Sequence, residues 1–292
     1  RVADTLRVSV EDAIRELGYV PNHAARSLAT RRTGSVALVV GDARAWSLAR
    51  AVRDALEAAG LQLVVLLSGD GGTNARVAAY ARHHVDGVLL LADDDELAVR
   101  LAQWQVPVVV GGCTGEPVPG KTTVDVDHVE AGRLAGRHLL DRGRRRLGMV
   151  AGPGDRGPSA ELEAGLRQVA EVERVVRSDG TAAGGERAAQ ELLAAVPDLD
   201  GAVVVGDLMA LGVLHALAAA GRRVPDEVAV VALADLDDLD LAAHTTPALT
   251  AVRAPRAAQA QRMVDVLVDR MTGRETLAGV VLDVELVGRD SA

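Results

Sequence analysis

Two hundred and ninety-two residues, at roughly 100–200 per domain, make room for two domains or for one large α/β unit with a small appendage. A composition 49% hydrophobic and 25% charged excludes disorder as the main state, and with no apolar run of roughly 18–20 residues and no secretion signal a cytoplasmic chain is expected. The net charge of −9 argues against a surface coated with nucleic acid, and the single cysteine, Cys113, excludes an internal disulfide and any Cys-rich metal site.

The charge is unevenly spread. Residues 1 to 35 carry six arginines against four carboxylates, so the remainder holds −11. Val8, Val10, Ala13, Ile14 and Leu17 give a helical stripe closed by Gly18. Tyr19-Val-Pro-Asn22 then breaks the chain, and Asn22 can cap a short second helix to Ala29. Fewer than forty residues cannot bury a core alone, so this basic head is incomplete by itself.

From Ser35 onward short Val/Leu runs alternate with Ala-rich amphipathic stretches. The pattern predicts strands at Val36–Val40, Leu61–Leu67, Gly87–Leu91 and Val106–Val110, with helices over 45–59, 73–83 and 95–103 between and after them. It resumes with helices at His128–Arg142 and Glu161–Glu171 around a strand at Leu147–Ala151. Strands at Ala202–Val205, Val228–Leu233 and Val280–Leu286 and helices at Leu208–Ala220 and Pro255–Met271 complete it. Near-continuous apolar strands alternating with helices specify a parallel sheet covered on both faces. The strands are too many for one sheet, so two α/β lobes with a cleft between them are expected, the ligand lying beyond the carboxyl ends of the strands. Arg142-Gly-Arg-Arg-Arg146 is read as a lobe crossover or as a helix C-terminus favoured by positive charge.

Several ordered motifs span the chain. Arg1-Val2, Val10 to Ile14, Glu16-Leu-Gly-Tyr-Val-Pro-Asn22, Ala25-Arg-Ser-Leu28 and Arg32-Thr-Gly34 precede a valine-rich strand. Asp127-His128, Ala131-Gly-Arg-Leu134, His138-Leu-Leu140, Gly206-Asp-Leu-Met-Ala-Leu-Gly212, Val224-Pro-Asp-Glu-Val228 and Pro247-Ala-Leu-Thr-Ala-Val252 follow. The set resembles the lactose-repressor (LacI) family of transcriptional regulators along its whole length. The resemblance implies a partial helical DNA-binding headpiece and hinge ahead of two doubly wound α/β lobes of the periplasmic-binding-protein-like type. It places a remnant of the headpiece, its third helix, in 1–21 and the hinge in 22–34. The N-terminal lobe is expected over 35–143 and 249–273, and the C-terminal lobe over 144–248 and 274–292. It further implies a homodimeric repressor that binds operator DNA, with no membrane partner, and whose operator affinity is altered, in either direction, by a small-molecule effector of unknown identity bound between the lobes. The family's helix-turn-helix pair lies ahead of the position matching Arg1, so operator binding is expected of the longer parent protein and not of these residues alone. By resemblance Asn22, Ala25, Arg26, Leu28 and Arg31 meet DNA at the hinge, with Leu28 as the apolar wedge in the minor groove and Arg26 and Arg31 near phosphates.

The cleft is less conventional. Where the family commonly has a cleft Arg, an Asn and an Asp that hold the effector, this chain has Leu162, Gly206 and Ala234. A site without those polar groups loses its discrimination among hydroxylated ligands. Asp42, Trp46, Asp127, Glu130, Asp207 and Asp235 remain near the expected cleft. Trp46 is either a stacking platform or a core residue. The carboxylates suit a cationic or amine-bearing effector, or serve as strand ends, loop residues and helix caps, the cap being the favoured role for Asp207.

Other chemistry finds less support. Gly152-Pro-Gly-Asp-Arg-Gly157, with Asp179 beyond it, matches a dinucleotide fingerprint in form, but it lies in the second lobe and is stiffened by Pro153 and Pro158. No nucleophile elbow and no metal-spaced histidines occur, and His83-His84 suits a helix C-terminus. No catalytic activity, cofactor or metal is therefore expected. A free-standing solute-binding protein of the same two-lobed fold is the alternative, and it leaves the basic hinge without a purpose.

Overall fold

A computed structural model describes residues 32–41, 46–69, 71–91, 95–111, 122–154, 157–233, 241–274 and 279–292, together with Ala13 and Glu16. The expected headpiece and hinge contacts at Asn22, Ala25, Arg26, Leu28 and Arg31 lie outside the described residues, as do Asp42, Cys113, Ala234 and Asp235.

The chain runs β1 (Ser35–Val40), α1 (Trp46–Ala58), β2 (Gln62–Leu67), α2 (Gly71–His84), β3 (Gly87–Leu91), α3 (Asp95–Gln103), β4 (Val108–Gly111) and β5 (Thr122–Val126). It continues through α4 (His128–Asp141), β6 (Leu147–Ala151), α5 (Pro158–Arg167), β7 (Val172–Arg177), α6 (Ala182–Ala195), β8 (Gly201–Val205) and α7 (Asp207–Ala219). Then come β9 (Ala229–Leu233), α8 (Leu241–His244), β10 (Thr250–Arg253), α9 (Arg256–Met271), β11 (Gly279–Leu282) and β12 (Glu285–Val287). The strands form two six-stranded sheets, ordered β11-β5-β4-β3-β1-β2 and β12-β10-β9-β8-β6-β7. In each, the first strand lies inside and the second at the edge, the doubly wound arrangement expected of alternating strand and helix. The central strands Ser35–Val40, Gly87–Leu91 and Ala229–Leu233 are nearly all buried because helices cover both faces.

Each sheet carries two apolar layers. On the first, α1 and α9 cover one face through Leu48, Val52, Met263 and Leu267, while α2 and α3 cover the other through Ala78, Ala81, Leu97 and Leu101. On the second, α4 and α5 lie against Met149, Val203 and Val231, and α6 and α7 against Val150, Val204 and Val230. With no Phe available, the layers are filled by Val, Leu, Ala and a few Met, and helices approach each other through glycine. A Cβ on Gly132 of α4 would collide with the Leu162 carbonyl of α5, and one on Gly165 of α5 with the Val129 carbonyl of α4. Gly185 of α6 and Gly212 of α7 meet the backbone of Met209 and Ala182 in the same reciprocal way.

The lobe boundaries differ from those expected. The helix α4 packs on the second sheet, β10 pairs with β9, and β11 pairs with β5. Residues 127–143 and 249–254 therefore belong to the second lobe, and 279–282 to the first. The chain crosses between lobes at Asp127, at Ala254-Pro255 and at Asp283-Val284. The expected single strand Val280–Leu286 is two strands on different sheets for the same reason. Arg142 to Arg146 is no crossover. It follows the end of α4, where Arg145 donates to the Leu140 carbonyl at 3.0 Å and Arg146 pairs with Glu173 and Asp198.

Candidate functional site

The three crossovers and the starts of α4, α7 and α9 all lie at the carboxyl ends of the strands. Asp127 caps α4, its carboxylate accepting from the Glu130 N–H at 2.7 Å. Glu130, expected in the cleft, is committed along the helix surface instead, its two oxygens bound by Arg133 at 3.2 Å and Arg137 at 3.1 Å. Leu162 offers the cleft no surface, because it is buried in the second lobe's core with Ala131, Ala135 and Leu166. The cap of α7 falls on Gly206, not on Asp207. Gly206 has φ 87° and ψ 143°, close to a region that side chains other than glycine's rarely occupy. Asp207 is then the first helical residue and is buried.

Between these elements lies a cluster of which the sequence motifs singled out His128 and Asp207 but neither Asp125 nor Arg256. Asp125, on the otherwise apolar end of β5, is 3% exposed. Its Oδ1 accepts from the Val126 N–H at 2.8 Å and stands 3.3 Å from Nε2 of His128, the first residue of α4. Arg256 opens α9 from the other side. Its guanidinium donates to Gln259 Oε1 at 2.9 Å, and the fully buried Gln259 donates in turn to the Val124 carbonyl at 3.1 Å. Burial pulls the Arg256 pKa below the ordinary arginine value, while the charges of Asp125 and then Asp207 pull it back up. Asp125 and Arg256 stand on the first lobe and His128 and Asp207 on the second, so the charges are shared across the cleft. A cation in the first turn opposes the helix dipole, which makes Arg256 anomalous in sequence. That anomaly was the available signal for a residue placed for something other than helix stability.

The rival chemistry loses its parts. The Asp179 carboxylate accepts from the Thr181 N–H at 3.0 Å and from its hydroxyl at 2.6 Å, and bonds Arg187 at 2.9 Å, which leaves it a loop role and no ribose to hold. Among the described residues no group of His, Cys, Asp or Glu is placed to hold a metal ion, and no helix is long and apolar enough to cross a membrane.

Comparison with known proteins fixes the family. Residues 136–292 match the periplasmic binding protein-like domain. The whole chain is 39% identical to the HTH-type transcriptional regulator CelR of Thermobifida fusca over 311 residues, covering 91% of that protein. The chain belongs to the LacI family of transcriptional regulators. This LacI-family chain is also 29% identical to the HTH-type transcriptional repressor PurR of Escherichia fergusonii, over 99% of its own length and 89% of the repressor's. Among solved structures it is similar to a transcriptional regulator CelR-cellobiose complex, with a TM-score of 0.81 at 36% identity, covering 100% of this chain and 92% of that one. The lac repressor bound to ONPG in the repressed state shares the fold, with a TM-score of 0.85 at 24% identity over 100% of this chain and 92% of the repressor. Trp46, which the sequence offers as a stacking platform, opens α1 just beyond β1.

Proposed function

We propose that this LacI-family chain is the hinge and effector-binding core of a homodimeric repressor, and that its effector is a neutral saccharide held between the lobes. The observation that carries this reading is similarity along the whole chain to CelR, together with the structure of a CelR-cellobiose complex that matches it from end to end. The local electrostatics support a neutral ligand. Of the carboxylates that suggested a cationic effector, Glu130 is bound by two arginines, Asp127 caps a helix and Asp207 acts on Arg256. Each of these carboxylates is thus already engaged within the protein, which favours a neutral ligand over a cationic one. Asp42, Trp46 and Asp235 complete the proposed site, with the Trp46 indole stacking on a sugar face.

The protein acts by binding, without a cofactor, as relatives named as regulators and repressors suggest. Saccharide binding changes operator affinity only to the extent that one lobe closure binds the sugar better than the other. Hinge residues Asn22, Ala25, Arg26, Leu28 and Arg31 carry that change to operator DNA. A thermal-shift panel of cellobiose, other saccharides, nucleobases and polyamines tests the effector class. At one hundred times its dissociation constant a specific ligand adds about 2.7 kcal/mol of stability. Stabilisation by cellobiose or a related saccharide is expected, and stabilisation by a polyamine alone would overturn the reading.

A further inference from the structure

At the end of the first lobe opposite the cleft, one helix carries an unbalanced charge. The helix α2 holds Arg76, Arg82, His83 and His84 and no carboxylate, in a chain whose net charge is −9. Arg76, Tyr80 and the two histidines follow one another at helical spacing, so they share one face, and all of them are exposed. The Tyr80 and His84 rings lie 4.6 Å apart. The exposed Arg82 guanidinium sits over the Trp104 ring, 5.1 Å from its centroid. Such a contact orders the guanidinium from one side and leaves its edge N–H groups able to donate.

These basic groups have no acid to answer them. Among the described residues none of the four is in an ion pair. The described carboxylates of the neighbouring α3 and of the turn into β3 are taken, Glu96 by Arg100 at 2.8 Å and Asp86 by Thr33 and Gly34. A helix C-terminus favours cations, which accounts for the last turn. It does not account for Arg76 in the middle of the helix, or for the lack of any acid along it.

Position suggests the partner. The last turn of α2 ends two residues before Asp86, and Asp86 holds Thr33 and Gly34, where the chain arrives from the hinge. The basic face therefore stands beside the segment that leads to DNA. A second copy packed on this face across a two-fold axis would set like charge on like charge, whereas a polyanion is complementary to it.

Building on the operator-binding reading, we propose that the exposed face of α2 is a DNA contact of the core itself, separate from the hinge. Arg76 and Arg82 neutralise backbone phosphates, and Tyr80, His83 and His84 donate hydrogen bonds to phosphate oxygens. Contacts of this kind carry no sequence information and fix how a protein sits on the duplex. Since the face belongs to the first lobe, it sets the orientation of that lobe on the operator.

The test is fluorescence anisotropy of a short labelled DNA duplex of random sequence, titrated with the full chain over a series of salt concentrations. Each phosphate contact contributes about 0.9 to the slope of log affinity against log salt. The double variant Arg76→Gln with Arg82→Gln should therefore flatten the slope by about 2. Arg76→Gln alone, which has no ion pair to lose, should flatten it by about 1, and Arg82→Lys, which keeps the charge, should leave it as in wild type. Arg142→Gln makes the same charge change on the second lobe, beyond α4, and should also leave it as in wild type. An unchanged slope in the double variant would put the phosphate contacts on the hinge arginines and overturn the surface, with the repressor reading intact. Equal flattening by Arg142→Gln and Arg76→Gln would mean that only net charge is felt, and overturns it as well. Absence of salt-dependent binding by wild type does the same, since operator contact then belongs to the headpiece of the longer parent protein. Failure of that parent to bind any DNA would overturn both the surface and the repressor reading.

Discussion

At Asp179 one carboxylate serves the Thr181 N–H, the Thr181 hydroxyl and Arg187, and Thr181 in turn caps α6 by accepting from the Gly184 N–H at 2.9 Å. The hydrogen bonds from Thr181 hold the Asp179 pKa below its ordinary 3.8, with Arg187 adding to them. A depressed carboxylate stabilises the fold above its unfolded value and loses that contribution as pH falls through its folded value. Thermal unfolding of wild type and Asp179→Asn should therefore differ near neutral pH, with wild type the more stable, and the two curves should converge below pH 3.8. A gap that persists in acid would show that the residue acts through packing and not through its charge. The same scale explains what the sequence withheld. Asp179 looked like the acid of a nucleotide fingerprint because spacing is visible in sequence and the taken state of a carboxylate is not. Leu162 was placed at an effector position by resemblance to the family, yet its side chain is buried in the core. Arg256 and Asp125 act on each other electrostatically across 131 positions of sequence, and only the oddity of a cation opening a helix hinted at it.

Among the elements, those with long apolar runs were the legible ones. Gly87–Leu91, Asp95–Gln103 and Leu147–Ala151 have the expected bounds. The strand Thr122–Val126 was missed because Thr and Asp interrupt its apolar pattern, and Val172–Arg177 because an edge strand alternates charged residues that a central strand lacks. The helix Ala182–Ala195 was missed because its paired glycines lower helix propensity. Of that pair Gly185, like Gly132 and Gly165, has a packing reason. Two helices lie so close that each glycine faces the partner's backbone, which cannot give way as a side chain can. Gly165→Ala should then cost about 3 kcal/mol, at or above the usual range for overpacking. Gly143 is the internal comparison. Its φ of 79° faces open space, so Gly143→Ala should cost only about 1 kcal/mol of backbone strain. Chemical denaturation of both variants checks the contrast, and equal costs would mean that α4 and α5 separate freely.

For the whole molecule, the two-lobed plan was readable from the count of strands, but the boundaries were not. A boundary depends on which sheet a strand joins, and β10 and β11 join the sheets opposite to those that chain order suggests. The result is three short crossovers, the points at which any rotation of one lobe against the other would have to occur. Any such rotation reaches DNA only if the first lobe grips the chain that leads to it, and the grip is visible. Asp86, just before β3, accepts from the Thr33 N–H at 2.7 Å, the Thr33 hydroxyl at 3.0 Å and the Gly34 N–H at 2.8 Å. Arg32 donates to the Met271 carbonyl at the end of α9, the helix that Arg256 begins at the cleft. One helix and one carboxylate clamp thus connect Arg256 with residues 32–34, the end of the proposed hinge. Asp86→Ala removes three hydrogen bonds at the hinge end and none at the crossovers. It should leave saccharide affinity within about twofold of wild type and shrink the effector-dependent change in operator affinity, a coupling that is typically about 5–150-fold. Saccharide titrations of the longer parent protein, free and on its operator, with and without the Asp86→Ala change, measure the two quantities separately. An unchanged coupling in Asp86→Ala would mean that lobe motion reaches the operator by another route.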